Sequence, residues 1–192
     1  FLKRFFDIFL CLLAMVVAAP IMLVVAILIK LDDGGPVFYR QERLTIDGKV
    51  FRILKFRSMH VDAEKYGPQL STRKDPRITR VGRMLRAGHL DELPQLFNVI
   101  HGEMSMVGPR PERPEIAAEI TRSCPEFVCR LQVKAGLTGY AQVTGAYDTD
   151  PIDKLKMDLM YIEQYAFLRD VQILLMTLKT AAFPPKTNEA AY

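Results

Sequence analysis

Leu90-Asp91-Glu92-Leu93-Pro94-Gln95-Leu96-Phe97-Asn98-Val99-Ile100 is the stretch from which the rest of the chain is read. Leu93, Leu96, Phe97 and Ile100 recur at helical spacing, which predicts a helix with one buried apolar face. Proline is tolerated only in a first turn, so Pro94 places the helix start near Asp91. Two adjacent carboxylates then sit at the positive end of the helix dipole, where phosphate also binds. An aspartate before a helix is an ordinary N-cap, and a glutamate in the first turn merely suits the dipole. The alternative is a catalytic pair, and this stretch alone leaves both readings open.

On the C-terminal flank, Gly102 to Pro111 reads Gly-Glu-Met-Ser-Met-Val-Gly-Pro-Arg-Pro. Arg110 is pinned between two prolines, so its backbone is nearly set before any ligand arrives. A guanidinium held in that way is either a phosphate clamp of low ordering cost or part of a rigid surface loop. On the N-terminal flank, Arg77, Arg80, Arg83 and Arg86 recur every three residues, with Arg73 and Lys74 before them. The row fits a solvated helix face or a contact with anionic headgroups. For Arg86, five residues before Asp91, it also fits a contact with phosphate oxygens at the carboxylates.

Further out, Val37-Phe38-Tyr39 and Val50 to Phe56 read as the strands of a hairpin around Asp47-Gly48. The second strand carries Arg52, Lys55 and Arg57 between apolar residues, either the solvated side of a sheet or the lining of an anion site. One helical turn is expected near Asp62 to Tyr66. Helices are predicted over Pro114 to Arg122, Pro125 to Val133 and Pro151 to Tyr165. Lys134 to Tyr140 is a glycine-punctuated loop running into a short strand, Ala141 to Thr144. Leu168 to Phe183 is strongly apolar and suits a helix on a membrane surface or over the core.

Ile8 to Ile29 is 22 residues without a charge, enough to cross a bilayer core and too long for a signal peptide. Pro20 lies in its middle, and basic residues flank both ends: Lys3 and Arg4, then Lys30, Arg40 and Arg43. A helix that enters, bends at Ala19-Pro20 and returns keeps both basic ends in the cytoplasm; a straight span does not. The residues alone leave re-entrant and spanning forms equally open.

At 192 residues the chain suits one domain with an appendage. A net charge of +4 with 49% hydrophobic residues suits an anionic surface or phosphorylated ligands. With no Trp and no basic-aromatic stripe, nucleic acid is not expected as a partner. Cys11, Cys124 and Cys129 are odd in number, which argues for a reducing compartment over a disulfide framework. His60, His89 and His101 form no metal motif. The start at Phe1 reads as the C-terminal part of a longer protein.

Several pieces occur in order along nearly the whole chain. They are Lys3-Arg4 with Asp7, Lys55-Phe56-Arg57-Ser58-Met59, Asp75-Pro76-Arg77-Ile78-Thr79, and Leu90 to Leu96. Met104 to Pro111, then Gly136-Leu137-Thr138-Gly139 with Ala141-Gln142-Val143, complete the set. Together they resemble the bacterial sugar transferases called monotopic phosphoglycosyl transferases. The chain departs from that pattern at Ala19-Pro20, where Ser-Pro is frequent, at Ala135, where Pro is, and at Tyr140, where Trp is. None of these departures touches the carboxylate pair.

The resemblance implies an α/β fold, mostly helical with a small β-hairpin, and amphipathic helices lying on the membrane surface. It divides the chain into a re-entrant membrane helix (1–31), a cytosolic catalytic domain (32–183) and an irregular tail (184–192). It implies transfer of a sugar-1-phosphate from a UDP-sugar to polyprenyl (undecaprenyl) phosphate, with release of UMP, in exopolysaccharide, capsule or O-antigen synthesis. Asp91 would attack the β-phosphate, and Glu92 would position the acceptor or accept a proton. Mg²⁺ on Asp91, with Arg86, Arg110 and Lys55 on the phosphates, would neutralise the developing charge. The expected location is the bacterial inner membrane, cytoplasmic face, in contact with lipid, and larger members make a homodimer an expectation. The competing readings are a non-catalytic nucleotide- or lipid-phosphate-binding module and a membrane phosphohydrolase. The residues do not name the sugar.

Overall fold

The computed structural model describes residues 2–63, 65, 75–145 and 149–182. The chain begins with a long helix, α1 (Leu2–Asp33), followed by a hairpin of β1 (Phe38–Leu44) and β2 (Val50–Phe56). Next come α2 (Arg80–Ala87), a 3-10 turn (Leu90–Glu92), α3 (Gln95–His101) and β3 (Ser105–Val107). Then follow α4 (Pro114–Ser123), a 3-10 stretch (Pro125–Gln132), β4 (Gly136–Thr138), α5 (Tyr140–Thr144), α6 (Pro151–Glu163) and α7 (Phe167–Ala182). The α/β class, mostly helical with small sheets, is the expected one.

The hairpin is antiparallel with Tyr39 opposite Lys55. It turns through Asp47 at φ 58° and Gly48 at φ 70°, the left-handed pair that an Asp-Gly dipeptide supplies. β1 runs on to Leu44, beyond the expected Tyr39, because the alternation of exposed and half-buried residues continues that far. The second sheet is the parallel pair β3–β4.

Helix α1 is 32 residues long, about 48 Å at helical rise. It continues through Ala19 and Pro20, so Pro20 removes a ladder hydrogen bond without ending the helix. One side is buried at Asp7, Cys11, Ala18, Val25 and Ile29. The other exposes Phe5, Phe9, Val16, Leu23, Val24 and Leu31, among others. An apolar band of that extent belongs against lipid rather than water, and α1 is the membrane-anchoring element.

Both ends of α1 are tied to the same body. At the N-terminal end, Lys3 Nζ pairs with Asp170 at 2.5 Å on α7, and Arg4 donates to the Val99 and Ile100 carbonyls of α3 at 2.5 and 2.6 Å. Asp7 accepts from Ser105 Oγ at 2.9 Å and the Met106 N–H at 3.0 Å. At the other end, Asp33 forms a bidentate pair with Arg57, and Asp32 accepts from the Val81 N–H at 3.3 Å. Between these anchors α1 joins two core clusters. Cys11 and Ala18 pack with Phe51, Ile53, Leu96 and Val99, while Val25 and Ile29 pack with Phe56 and Leu85. The helix lies along the domain instead of projecting from it.

Three local expectations are corrected. Ala141 to Thr144 is helical (α5), because Gly139 presents its carbonyl to the Gln142 and Val143 N–H groups; Gly136–Thr138 takes the strand pairing instead. Pro125 to Gln132 is a 3-10 stretch, not an α-helix. Helix α3 starts at Gln95, and Asp91 and Glu92 occupy the preceding 3-10 turn. Tyr66, Arg73, Lys74 and the tail 184–192 lie outside the described residues.

Thr79 caps α2 by accepting from the Gly82 N–H at 2.9 Å. A Cβ at Gly82 would overlap the Ser58 carbonyl, a backbone atom that cannot swing away. Gly82→Ala is therefore expected to destabilise the protein by about 1–3 kcal/mol. A thermal melt beside the wild type measures it, and an unchanged midpoint would show that α2 shifts freely.

Candidate active site

The site is assembled from four separated segments. Strand β2 carries Lys55 and α2 carries Arg86, each next to its last residue; the 3-10 turn carries Asp91 and Glu92, and the loop after β3 carries Arg110. Glu92 Oε1 accepts from Lys55 Nζ at 2.7 Å and from Arg110 Nη2 at 2.8 Å. Arg86 donates from Nε to Ser58 Oγ at 2.8 Å, and its charge acts on Asp91. All five residues singled out for catalysis and phosphate binding thus converge.

Neither carboxylate caps α3. Its N-cap is Pro94, with no side-chain cap bond, and the Glu92 side chain is turned to Lys55 and Arg110. Helix α3 begins three positions beyond Glu92, so its dipole adds little where the carboxylates sit. The local positive potential comes from Lys55, Arg86 and Arg110.

The two carboxylates differ in kind. Burial pushes the Asp91 carboxyl above the usual range; the charge of Glu92 adds to this, and Lys55 and Arg86 offset it only in part. Burial would raise Glu92 as well, but the charges of Arg110 and Lys55 and their hydrogen bonds outweigh it and hold Glu92 well below the usual range. One carboxylate is locked as an anion, while the other is poised and makes no side-chain hydrogen bond or ion pair among the described residues. Carboxylates pushed apart in this way take different roles.

A pH dependence follows. A carboxylate serves as a nucleophile or base only when ionised, so any activity that depends on Asp91 is expected to fall on acidification through its raised pKa. Lys55→Met removes a charge that lowers that pKa, so the acid limb of the rate profile is expected to move to higher pH. Initial rates from pH 4 to 9 for both proteins measure this, and a limb that stays in place refutes the coupling.

Sequence reasoning missed the supports behind these groups. Asn98 of α3, 5% exposed, accepts from the Leu54 N–H at 2.9 Å and donates to the Arg52 carbonyl at 2.9 Å. It thereby locks the strand carrying Lys55 to the helix that follows Glu92. A lone amide between Phe97 and Val99 on an apolar helix was the available sign. Arg130 donates to the Arg110 carbonyl at 3.0 Å and pairs with Asp158 at 2.7 Å. Those residues lie far apart in the chain, and no local pattern marks them.

The sequence model of the family described as bacterial sugar transferase matches residues 1–184. The chain belongs to the bacterial sugar transferase family. Among the relatives of this family member is the UDP-N-acetylgalactosamine-undecaprenyl-phosphate N-acetylgalactosaminephosphotransferase of Aeromonas hydrophila. The two are 40% identical over 183 residues, 94% of this chain and 43% of that protein. The undecaprenyl-phosphate glucose phosphotransferase of Komagataeibacter xylinus is 39% identical over 190 residues, 94% of this chain and 36% of that protein. The UDP-glucose:undecaprenyl-phosphate glucose-1-phosphate transferase of Caulobacter vibrioides is 40% identical over 181 residues, 92% of this chain and 68% of that protein. The chain therefore spans less than half the length of the first two. Their names give N-acetylgalactosamine for the first and glucose for the other two, and share the acceptor.

Proposed function

We propose that this chain is the catalytic part of a phosphoglycosyl transferase that moves a sugar-1-phosphate from a UDP-sugar to undecaprenyl phosphate. The observation that carries the reading is the pair of unlike carboxylates: Asp91 poised without a side-chain partner, Glu92 pinned between Lys55 and Arg110. An Asp91 oxygen attacks the β-phosphorus of the donor. The bond from that phosphorus to the bridging oxygen breaks, UMP leaves with the electron pair, and the sugar-phosphate remains on the aspartyl oxygen. A phosphate oxygen of the acceptor then attacks the same phosphorus, releasing Asp91 and forming polyprenyl-diphosphate-sugar.

Attack of an anion on a diphosphate needs cations around the developing charge. Lys55 and Arg110 hold Glu92 between them, and the charges of Lys55 and Arg86 act on Asp91. Among the described residues no cluster of three or more His, Cys, Asp or Glu forms a metal cage. Asp91 is a hard oxygen donor without a side-chain partner, which suits Mg²⁺, an ion that takes one or two carboxylates and completes its shell with water and substrate phosphates. Bound there, it would supply charge neutralisation at the β-phosphate.

The lipid acceptor explains α1. With both ends tied to one body and its length packed along that body, α1 meets the bilayer from one face, which favours one-sided attachment over a span. The catalytic domain then faces the cytoplasm, where nucleotide sugars are made. Mass spectrometry of the protein with Mg²⁺ and UDP-glucose, UDP-galactose or their N-acetylated forms tests the proposal. A gain of one sugar-phosphate mapped to Asp91, released by polyprenyl phosphate, is expected. No adduct with any donor, together with transfer by Asp91→Asn, would overturn it.

A further inference from the structure

Glu92, Gln95 and Asn98 form a row of polar residues on the side of α3 and its preceding turn that faces β2. Both ends of the row are bonded to that strand. Glu92 meets Lys55 at 2.7 Å, and Asn98 meets the Leu54 N–H and the Arg52 carbonyl. Gln95, between them, is not bonded. It is 3% exposed, its Nε2 is enclosed, and its carboxamide makes no hydrogen bond among the described residues. We infer that Gln95 is a positioning residue for Asp91, its N–H holding the carboxylate oxygen that does not attack; the inference rests on the transfer reading and adds a residue to it.

Three observations carry it. The first is cost. A buried amide donor with no partner weakens a fold, and folded chains keep few of them. Leu or Met would fill the same space without that cost, so packing gives no reason for a carboxamide at this position. Its place at the base of the carboxylate site gives one.

The second is place. The chain winds helically from Leu90 into α3: the Leu93, Leu96 and Phe97 N–H groups donate to the Leu90, Leu93 and Pro94 carbonyls at 3.3, 3.1 and 3.0 Å. Residues three and four apart on such a winding are neighbours, so Gln95 stands one turn from Glu92 and Asp91 together. Pro94 is buried beside it and Asn98 is fixed to β2, which leaves the backbone under Gln95 little freedom.

The third is a matching need. Glu92 Oε1 already accepts from Lys55 and Arg110, whereas the Asp91 carboxyl has no side-chain partner among the described residues. A carboxylate that attacks through one oxygen loses its aim unless the other oxygen is held. A neutral amide N–H can hold it without competing, as a cation would, for the phosphates of the donor. Hydrogen bonds of this kind are long in unliganded enzymes and tighten on the way to the transition state, which accounts for two unpaired polar groups one turn apart.

The test uses the whole chain in lipid nanodiscs with Mg²⁺, polyprenyl phosphate and UDP-glucose, UDP-galactose or their N-acetylated forms. Gln95→Met keeps the length of the side chain and removes the N–H. It is expected to melt with wild type or above it, because no bond within the fold is lost. Its kcat is expected to fall about ten- to a hundredfold at an unchanged donor KM, and adduct formation at Asp91 in a single turnover slows by the same factor. Gln95→Leu, with no sulfur, is expected to show the same split. Turnover at the wild-type rate in either variant overturns the inference. So does a loss confined to KM, or a fall in melting temperature in both variants, which would place the amide in substrate binding or in the core. An Asp91 adduct and product from wild type alongside any of those results leaves the transfer reading intact. Wild type that forms neither with any of these donors overturns the transfer reading, and the inference falls with it.

Discussion

Asp91→Asn is expected to lower sugar-phosphate transfer by at least about a thousandfold, while the variant melts at a higher temperature than wild type. Both effects come from one fact. Burial and Glu92 hold the Asp91 carboxyl above its usual range, so the folded protein binds a proton there more tightly than the unfolded chain does. Stability from this group falls as pH rises from the unfolded pKa through the folded one, and the penalty remains at neutral pH. Asparagine removes the charge and with it the penalty. Function placed at the expense of stability is what a poised nucleophile requires. Glu92→Gln makes the contrast. Its folded pKa is depressed, so its contribution is present above the unfolded pKa and is lost as pH falls. Removing that charge leaves Lys55 and Arg110 facing one another, and this variant is expected to melt lower. Paired melts at pH 7, with adduct formation read in parallel, check both. An Asp91→Asn variant that transfers normally would leave the aspartate without a chemical role.

The second large effect is expected away from the carboxylates. Asp158→Ala should destabilise the protein by about 3–5 kcal/mol, a fall in Tm of roughly 10 °C for a chain of this size. The side chains of Arg130 and Asp158 are 7% and 2% exposed. Burial raises Asp158 and the charge of Arg130 pulls it back, so the pair is costly to bury and costlier to split. Without Asp158, Arg130 keeps the Arg110 carbonyl, the face of the Phe127 ring and a distant Glu112. Transfer should fall as well, because the Arg110 loop loses its rear support. Arg130→Met with Asp158→Leu is expected to recover much of the stability, since it leaves no buried charge. A single variant that melts with wild type would show that water reaches Arg130.

The distribution of these residues explains what the linear chain disclosed. Asp91 and Glu92 are adjacent, Arg110 is marked by its prolines, and Lys55 alternates with apolar neighbours, so each carried a local sign. Their convergence was legible only through the family resemblance, because Glu92 meets Lys55 across 37 positions. The start of α3 was misplaced since Pro94 suits both a first turn and an N-cap. The strand expected at Ala141 to Thr144 failed because apolar alternation over so few residues does not distinguish a strand from a single helical turn. Arg130 with Asp158, and Asn98 with β2, left no trace because their partners are set by tertiary packing alone.

The anchors at the N-terminal end of α1 also bear on the order in which the protein can be made. Lys3 reaches Asp170 and the Val107 carbonyl, and Asp7 reaches Ser105. Helix α1 leaves the ribosome before these partners and therefore waits for residues that emerge about a hundred positions and more later. Until then its buried side offers lysine, arginine and aspartate to whatever surrounds it, while its other side already seeks lipid. Closure of that long loop comes late by entropy alone. Insertion of α1 and docking of α7 are accordingly separate events, and a nascent chain halted before residue 170 would lack the Lys3–Asp170 pair while the other anchors of α1 are already present.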